Sequence, residues 1–202
     1  MEPILHGVAL AFGLILPLGV QNVFIFTQGA TQKKFSSALP AIVTASICDT
    51  LLITLAITGV SVIVLTFEWL RTSLFLIGFL FLLYMGWVMW KAKPAMHAQQ
   101  PLSHFTAKRQ IAFAASVSLL NPHAILDTIG VIGTSALIYA GTEKWLFSLS
   151  VIIVSWIWFF SLALAGRKLG KMDTSGQWLR RINKVSAVVI WVMAFYILSH
   201  LI

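Results

Sequence analysis

Six acidic residues occur in this chain, and four of them, Glu2, Glu68, Glu143 and Asp173, fall at the start or between apolar runs. The other two, Asp49 and Asp127, fall inside apolar runs. A carboxylate near the centre of a bilayer costs about 2.5–3.5 kcal/mol on insertion scales. It is tolerated beside a partner, in a water-filled cavity or with a bound proton, and each of these is the start of a solute-binding or proton-carrying site. The plainer alternative is that each carboxylate only satisfies a neighbouring backbone or hydroxyl group.

Asp49 sits in Ala45-Ser46-Ile47-Cys48-Asp49-Thr50. It is about ten residues into its run, which at about 1.5 Å each places it about 15 Å deep. Ala45, Ser46 and Ile53 share its helical face, and small residues there admit another helix or leave a cavity. Asp127 sits in Asn121-Pro122-His123-Ala124-Ile125-Leu126-Asp127-Thr128. His123 and Asp127 are four apart, so they can meet on one face and pass protons or order a site. The alternative for His123 is that it fills the gap left by a broken helix. Gly130 and Gly133 keep the same face open.

Both regions carry a helix breaker. Pro122 cannot donate a backbone hydrogen bond and disfavours helix at Asn121; Pro17 does the same to Leu16, and Gly19 adds freedom. Such breaks leave backbone groups that only protein or a wet cavity can satisfy at membrane depth. Gln21 and Asn22 follow the first break directly. A half-helix starting there carries partial positive charge and can hold a carboxylate, while nearby aspartates can hold a cation. The two features together suit a zwitterion with an additional positive charge, such as a basic amino acid.

The elements that must position these groups are membrane helices. Of the 202 residues, 59% are hydrophobic and only 10% charged, against about 25% charged in a soluble domain. Six stretches reach or approach the length of about 20 residues that a span needs: roughly 4–27, 39–65, 72–90, 111–136, 145–166 and 185–202. The expected fold is therefore an all-α integral membrane protein of about six helices in a single domain over 1–202. The segments 91–110 and 167–184 read as longer polar, basic loops. Twelve of the fourteen Lys and Arg fall in the segments 28–38, 91–110 and 167–184, and the other two are Arg71 and Lys144. The basic excess marks the cytoplasmic side, so both termini are expected outside. Trp87 and Trp90 beside Lys91, and Trp69 and Trp145 at the other boundary, fit interfacial anchors; Trp156, Trp158 and Trp191 fall deeper and read as packing residues.

An odd number of spans per unit turns the second unit upside down, the inverted-repeat plan of many transporters. The units would be about 1–92 and about 111–202, each opening with a broken span. Sliding one onto the other by 105 positions sets Pro17 on Pro122 and Asn22 on Asp127.

Other function classes find little support. Cys48 is the single cysteine, so neither an internal disulfide nor a dithiol relay is available. The start, Met1-Glu2-Pro3, lacks the basic region of a signal peptide, and the first run is expected to remain as a helix. Neither HExxH nor GxSxG occurs, so no enzyme is expected. The net charge of +8 is carried by basic segments between spans rather than by a nucleic-acid-binding domain. No cofactor and no bound metal is expected. A purely structural membrane subunit would not need two aspartates beside two helix breaks.

Pro17-Leu18-Gly19-Val20-Gln21-Asn22-Val23-Phe24 followed by Gln28-Gly29 resembles the first-helix signature of the LysE-type amino-acid exporters. Asp49 in Ser-Ile-Cys-Asp resembles that family's second-helix aspartate. Leu120-Asn121-Pro122-His123-Ala124-Ile125-Leu126-Asp127-Thr128 resembles its fourth-helix motif. The similarity runs nearly the whole chain and is greatest to the lysine and arginine exporters. Val20 stands where the family often has a proline before Gln-Asn. The resemblance implies export of a basic amino acid across a prokaryotic cell membrane, driven by the proton-motive force, and a homo-oligomer. Neutral amino acids or metal cations are the alternative cargo for the same scaffold. Passive leak of a cation runs inward, because moving one positive charge outward costs about 2.3 kcal/mol per 100 mV. An acid such as Asp127 or Asp49 could carry the coupling proton.

Overall fold

A computed structural model describes residues 1–15, 19–59, 67–91, 105–121, 124–125, 127–172 and 177–199. Every regular element among them is helical. In chain order these are α1 (Glu2–Ile15), α2 (Val20–Thr31), a 3-10 turn (Phe35–Ser37), α3 (Leu39–Ile57), α4 (Glu68–Lys91) and α5 (Ala107–Leu119). There follow a π-helical segment (Asp127–Gly133), a second 3-10 turn (Ala136–Ile138), α6 (Gly141–Met172) and α7 (Gln177–Ser199). The chain is an integral membrane protein. Among the described residues, α3 and α6 are each long and apolar enough to cross a bilayer, and α1 with α2 qualifies as a bent pair whose axes turn by 80°.

Several expected boundaries move, each for a physical reason. The run 4–27 is two helices, because Gly19 is extended (φ −74°, ψ 176°). The run 111–136 is interrupted after Leu119, is helical again at 124–125 and takes π geometry from Asp127. The segment 167–184 is mostly helix rather than loop: α6 runs on through Arg167, Lys168 and Lys171, and α7 already contains Arg180, Arg181 and Lys184. Lys and Arg are good helix formers, so the helices continue past the apolar stretch. The third run, read as 72–90, is a 24-residue helix that takes in Glu68 and Lys91 at its ends.

Threonine hydroxyls on α3 are settled within the helix. Thr44, Thr50, Thr54 and Thr58 each donate to the carbonyl four residues earlier, the usual way such a side chain is carried in lipid. The first broken span, α1 and α2, packs along α6; α5 and the π segment pack on α3; α4 pairs with α7; and α3 meets α6. Along the α2–α6 seam a Cβ at Gly29 would collide with the Ala163 carbonyl, and one at Gly166 with the Phe26 carbonyl. Only glycine lets these backbones approach so closely.

The two ends of the bundle differ in charge. At one end Arg167 donates to the Lys33 carbonyl (3.5 Å), and Gln110 joins Ser37 to Phe105. Lys33, Lys34, Lys108, Arg109 and Arg167 therefore gather there. At the opposite end His6 near the start of α1 meets Tyr139 and Phe147.

Candidate functional site

The break between α1 and α2 leaves the last carbonyls of α1 and the first amides of α2 without helical partners. Asn22 repairs part of this. Its Nδ2 donates to the Ile15 carbonyl across the break (3.0 Å). Its Oδ1 accepts from the Trp158 indole N–H of α6 (3.2 Å). Asn22 thus fastens the two half-helices and is itself held by a third helix. At the start of α2, Gly19 gives no side-chain cap, so the first amides of that helix retain their partial positive charge.

One residue earlier, Gln21 reaches α3. Its Nε2 donates to Asp49 Oδ1 (3.0 Å), and Ser155 Oγ of α6 donates to Asp49 Oδ2 (2.9 Å). Three helices converge on one carboxylate, and both donors are neutral. Next to it, Trp156 donates its indole N–H to Thr50 Oγ1 (3.0 Å).

Gln21, Asn22, Asp49 and Ser155 open onto a cavity of about 110 Å³, whose lining also includes Gly19, Asn121 and Thr128. That is room for several waters or part of a small solute. Among the described lining residues Asp49 is the one with an ionisable side chain. A carboxylate held by neutral donors presents negative potential to the cavity and attracts positive charge. The uncapped start of α2 lies on the same cavity and attracts negative charge. Among the described residues no three of His, Cys, Asp and Glu gather as a metal site requires.

Of the residues singled out from the sequence, Gly19, Gln21, Asn22, Asp49 and Asn121 come together on this cavity. Asn121 is buried, and its carbonyl accepts from the Ile125 amide as the chain turns helical again (3.1 Å). Asp127 opens the π segment, which carries Thr128 and Ile132 onto the cavity wall; its side chain lies outside the described residues. Pro17, Pro122 and His123 lie outside them too. Gly130 has open space where a Cβ would stand.

Sequence reasoning missed Ser155 and gave Trp156 and Trp158 a packing role alone. Both indoles also donate hydrogen bonds to polar groups of the broken first span and of α3. The available signal was a serine followed at once by Trp156 and then Trp158 in an otherwise apolar run, since a buried indole N–H seeks an acceptor.

The chain is 62% identical over 196 residues, covering 97% of this chain and 89% of the relative, to a protein of Bacillus subtilis (strain 168) named "Putative amino-acid transporter YisU". It is 34% identical over 195 residues (94% of this chain, 90% of the relative) to the arginine exporter protein ArgO of Salmonella paratyphi B. It is 32% identical over 199 residues (97% and 96%) to ArgO of Pectobacterium carotovorum. No solved structure matches the chain. Residues 12–201, which hold both helix breaks and nearly all of the cavity lining, match the LysE type translocator family, and the chain belongs to that family.

Proposed function

We propose that this protein exports a basic amino acid, arginine or lysine, from the cytoplasm in exchange for protons, by alternating access. The observation that carries the reading is Asp49, the single ionisable side chain among the described residues of a cavity whose other wall is the uncapped start of α2. A zwitterion with a cationic side chain has one group for each: its cation for Asp49, its α-carboxylate for the amides of Val20 and Gln21 at the start of α2. Two relatives covering most of their length are named as arginine exporters, which favours arginine.

The scaffold of this reading is six spans in two inverted units, about 1–92 and about 111–202. The packing pattern supports it, because it maps onto itself when the units are exchanged. The first broken span lies on α6 as the fourth lies on α3, while α4–α7 and α3–α6 pair across the units. The basic end belongs on the cytoplasmic side and both termini outside. Asp49 and Asp127 divide substrate binding and proton carriage between them, Gln21 orients Asp49, and Asn22 and Asn121 hold the two breaks open; His123 stands beside the second.

The test is uptake of labelled arginine and lysine into inverted membrane vesicles with an imposed proton gradient, for the parent and for Asp49→Asn and Asp127→Asn. Gradient-dependent uptake in the parent, lost in either variant, is expected. No uptake of either amino acid by folded protein would overturn the choice of cargo and turn attention to neutral amino acids and metal cations.

A further inference from the structure

The cavity lies where three apolar clusters meet. Toward the basic end stands a cluster of Phe24, Ile25, Ile42, Ala114 and Phe159, with Phe113 packed against it. Toward the opposite end stands another, of Ala11, Ile53, Ile132, Phe147 and Val151, with Tyr139 packed against it. Each plug is closed at the rim by a polar clasp. At the basic end Gln110 Nε2 donates to the carbonyls of both Ser37 and Phe105 (2.9 Å each), and Gln32 Nε2 donates to Phe105 as well (3.3 Å). The Phe105 ring meets Phe24 and Phe113. At the opposite end His6 Nδ1 and the Tyr139 hydroxyl share a hydrogen bond (2.9 Å), and both rings pack at a tilt against Phe147.

The clasps are counterparts. Each ties the first half of a broken span to the turn that follows the other broken span: α5 to the turn at 35–37, and α1 to the turn at 136–139. The offset of 105 that superposes Pro17 on Pro122 sets His6 on Ile111, next to Gln110. It sets Tyr139 on Lys34, three residues from Ser37. The basic-end clasp also leaves Gln110 Oε1 buried with no hydrogen-bond partner, a group that gains by hydration when that end opens.

We propose that these two clasps are the gates of the transport cycle: Gln110 with Ser37, Phe105 and Gln32 closes the cavity toward the basic end, and His6 with Tyr139 closes it toward the other. The gate assignment rests on the transporter reading above, but not on which solute is carried. Helix breaks allow each half-span to tilt without dragging the other, so one clasp opens while the other holds.

The test uses the full chain in a Cys48→Ser background, with Ala124→Cys on the cavity wall as a probe. A membrane-impermeant thiol reagent is applied to right-side-out and to inverted vesicles. Tyr139→Phe keeps the ring and removes the clasp; it should raise labelling several-fold from the terminus-bearing face alone. Gln110→Leu should raise it several-fold from the basic face alone. Should Gln110→Leu not fold, Ser37→Cys with Phe105→Cys, bridged by a short reducible bis-thiosulfonate, must stop arginine uptake, and reduction must restore it. Labelling unchanged by both variants, raised from the wrong face, or uptake unaffected by the bridge overturns the gates. Side-specific labelling with no arginine uptake in the parent leaves the gates standing and removes the cargo. Uptake without side-specific labelling does the reverse.

Discussion

Helix α2 meets α6 in two different ways along its length. Near its start the contact is polar: Asn22 accepts from Trp158, and Gln21 and Ser155 hold Asp49 between them. About two turns later it is backbone against backbone, with Gly29 on Ala163, Gly166 on Phe26 and Gly170 on Ala30. The glycine seam has one arrangement, since any sideways step puts a carbonyl into a neighbour. The polar start has several, because amides, hydroxyls and indoles can exchange one partner for another, or for a ligand, at little cost. Side-chain hydrogen bonds between membrane helices average about 0.6 kcal/mol, so a solute can replace them one by one. The seam thus makes α2 and α6 one body, and the site is placed where that body is loosest.

The largest effect separating the two halves is expected from Gly166→Leu. Its side chain has no room beside the Phe26 carbonyl, and the seam cannot relax without parting the helices. Little monodisperse protein should survive detergent extraction and size-exclusion chromatography; normal recovery would show that the seam is not rigid. Asp49→Asn should do the opposite. The amide is isosteric: its oxygen still accepts from Gln21, and its NH2 replaces the oxygen that accepted from Ser155, whose hydroxyl can turn to accept instead, so the protein should extract and melt nearly like the parent. Gradient-driven arginine uptake should fall by about 100-fold, equivalent to about 2.7 kcal/mol. Retained uptake would move the charge-bearing role to Asp127. Trp158→Phe comes third. It keeps the ring and loses the N–H donated to Asn22, so about 0.6 kcal/mol of stability should go, read as a small drop in melting temperature with a few-fold loss of uptake. A loss as large as that of Asp49→Asn would mean that the Asn22 fastening governs the site outright.

Much of this is legible in the residues themselves. Asp49 announces itself by type, since a carboxylate in an apolar run needs a reason. Gly19, Gln21, Asn22 and Asn121 announce themselves by their place beside helix breakers, and all five residues reach one cavity. What stays hidden is whatever depends on a third helix. Ser155 is an ordinary membrane-helix residue until Asp49 of α3 is set against it, and no local pattern names a partner 106 positions away. The seam is hidden for a related reason: Gly166 and Gly170 look like tolerated helix glycines until α2 lies on them. Helix ends are misjudged where apolar character and helix propensity part company, as at Arg167–Met172 and Gln177–Lys184. Apolar runs mark where lipid is, not where a helix stops.

Ser155→Ala is the mildest of the expected changes and the finest test of the two halves. Ser155 is buried and gives its one hydroxyl proton to Asp49 Oδ2, while Gln21 serves Oδ1. Removing the hydroxyl deletes one of two donors, and the cavity beside it has room for water to take its place. If Ser155 only positions the carboxylate, the loss is that of one membrane hydrogen bond, about 0.6 kcal/mol or a factor of about three. It should appear as a rise in KM for arginine with the maximal rate unchanged, and Ser155→Thr, which restores a hydroxyl, should recover part of it. If the hydroxyl instead touches the solute as it passes, the maximal rate falls too, and Thr, with an added methyl in a tight space between α3 and α6, makes matters worse. The split between KM and rate decides whether the polar half of the seam merely holds Asp49 still or takes part in handing the solute on.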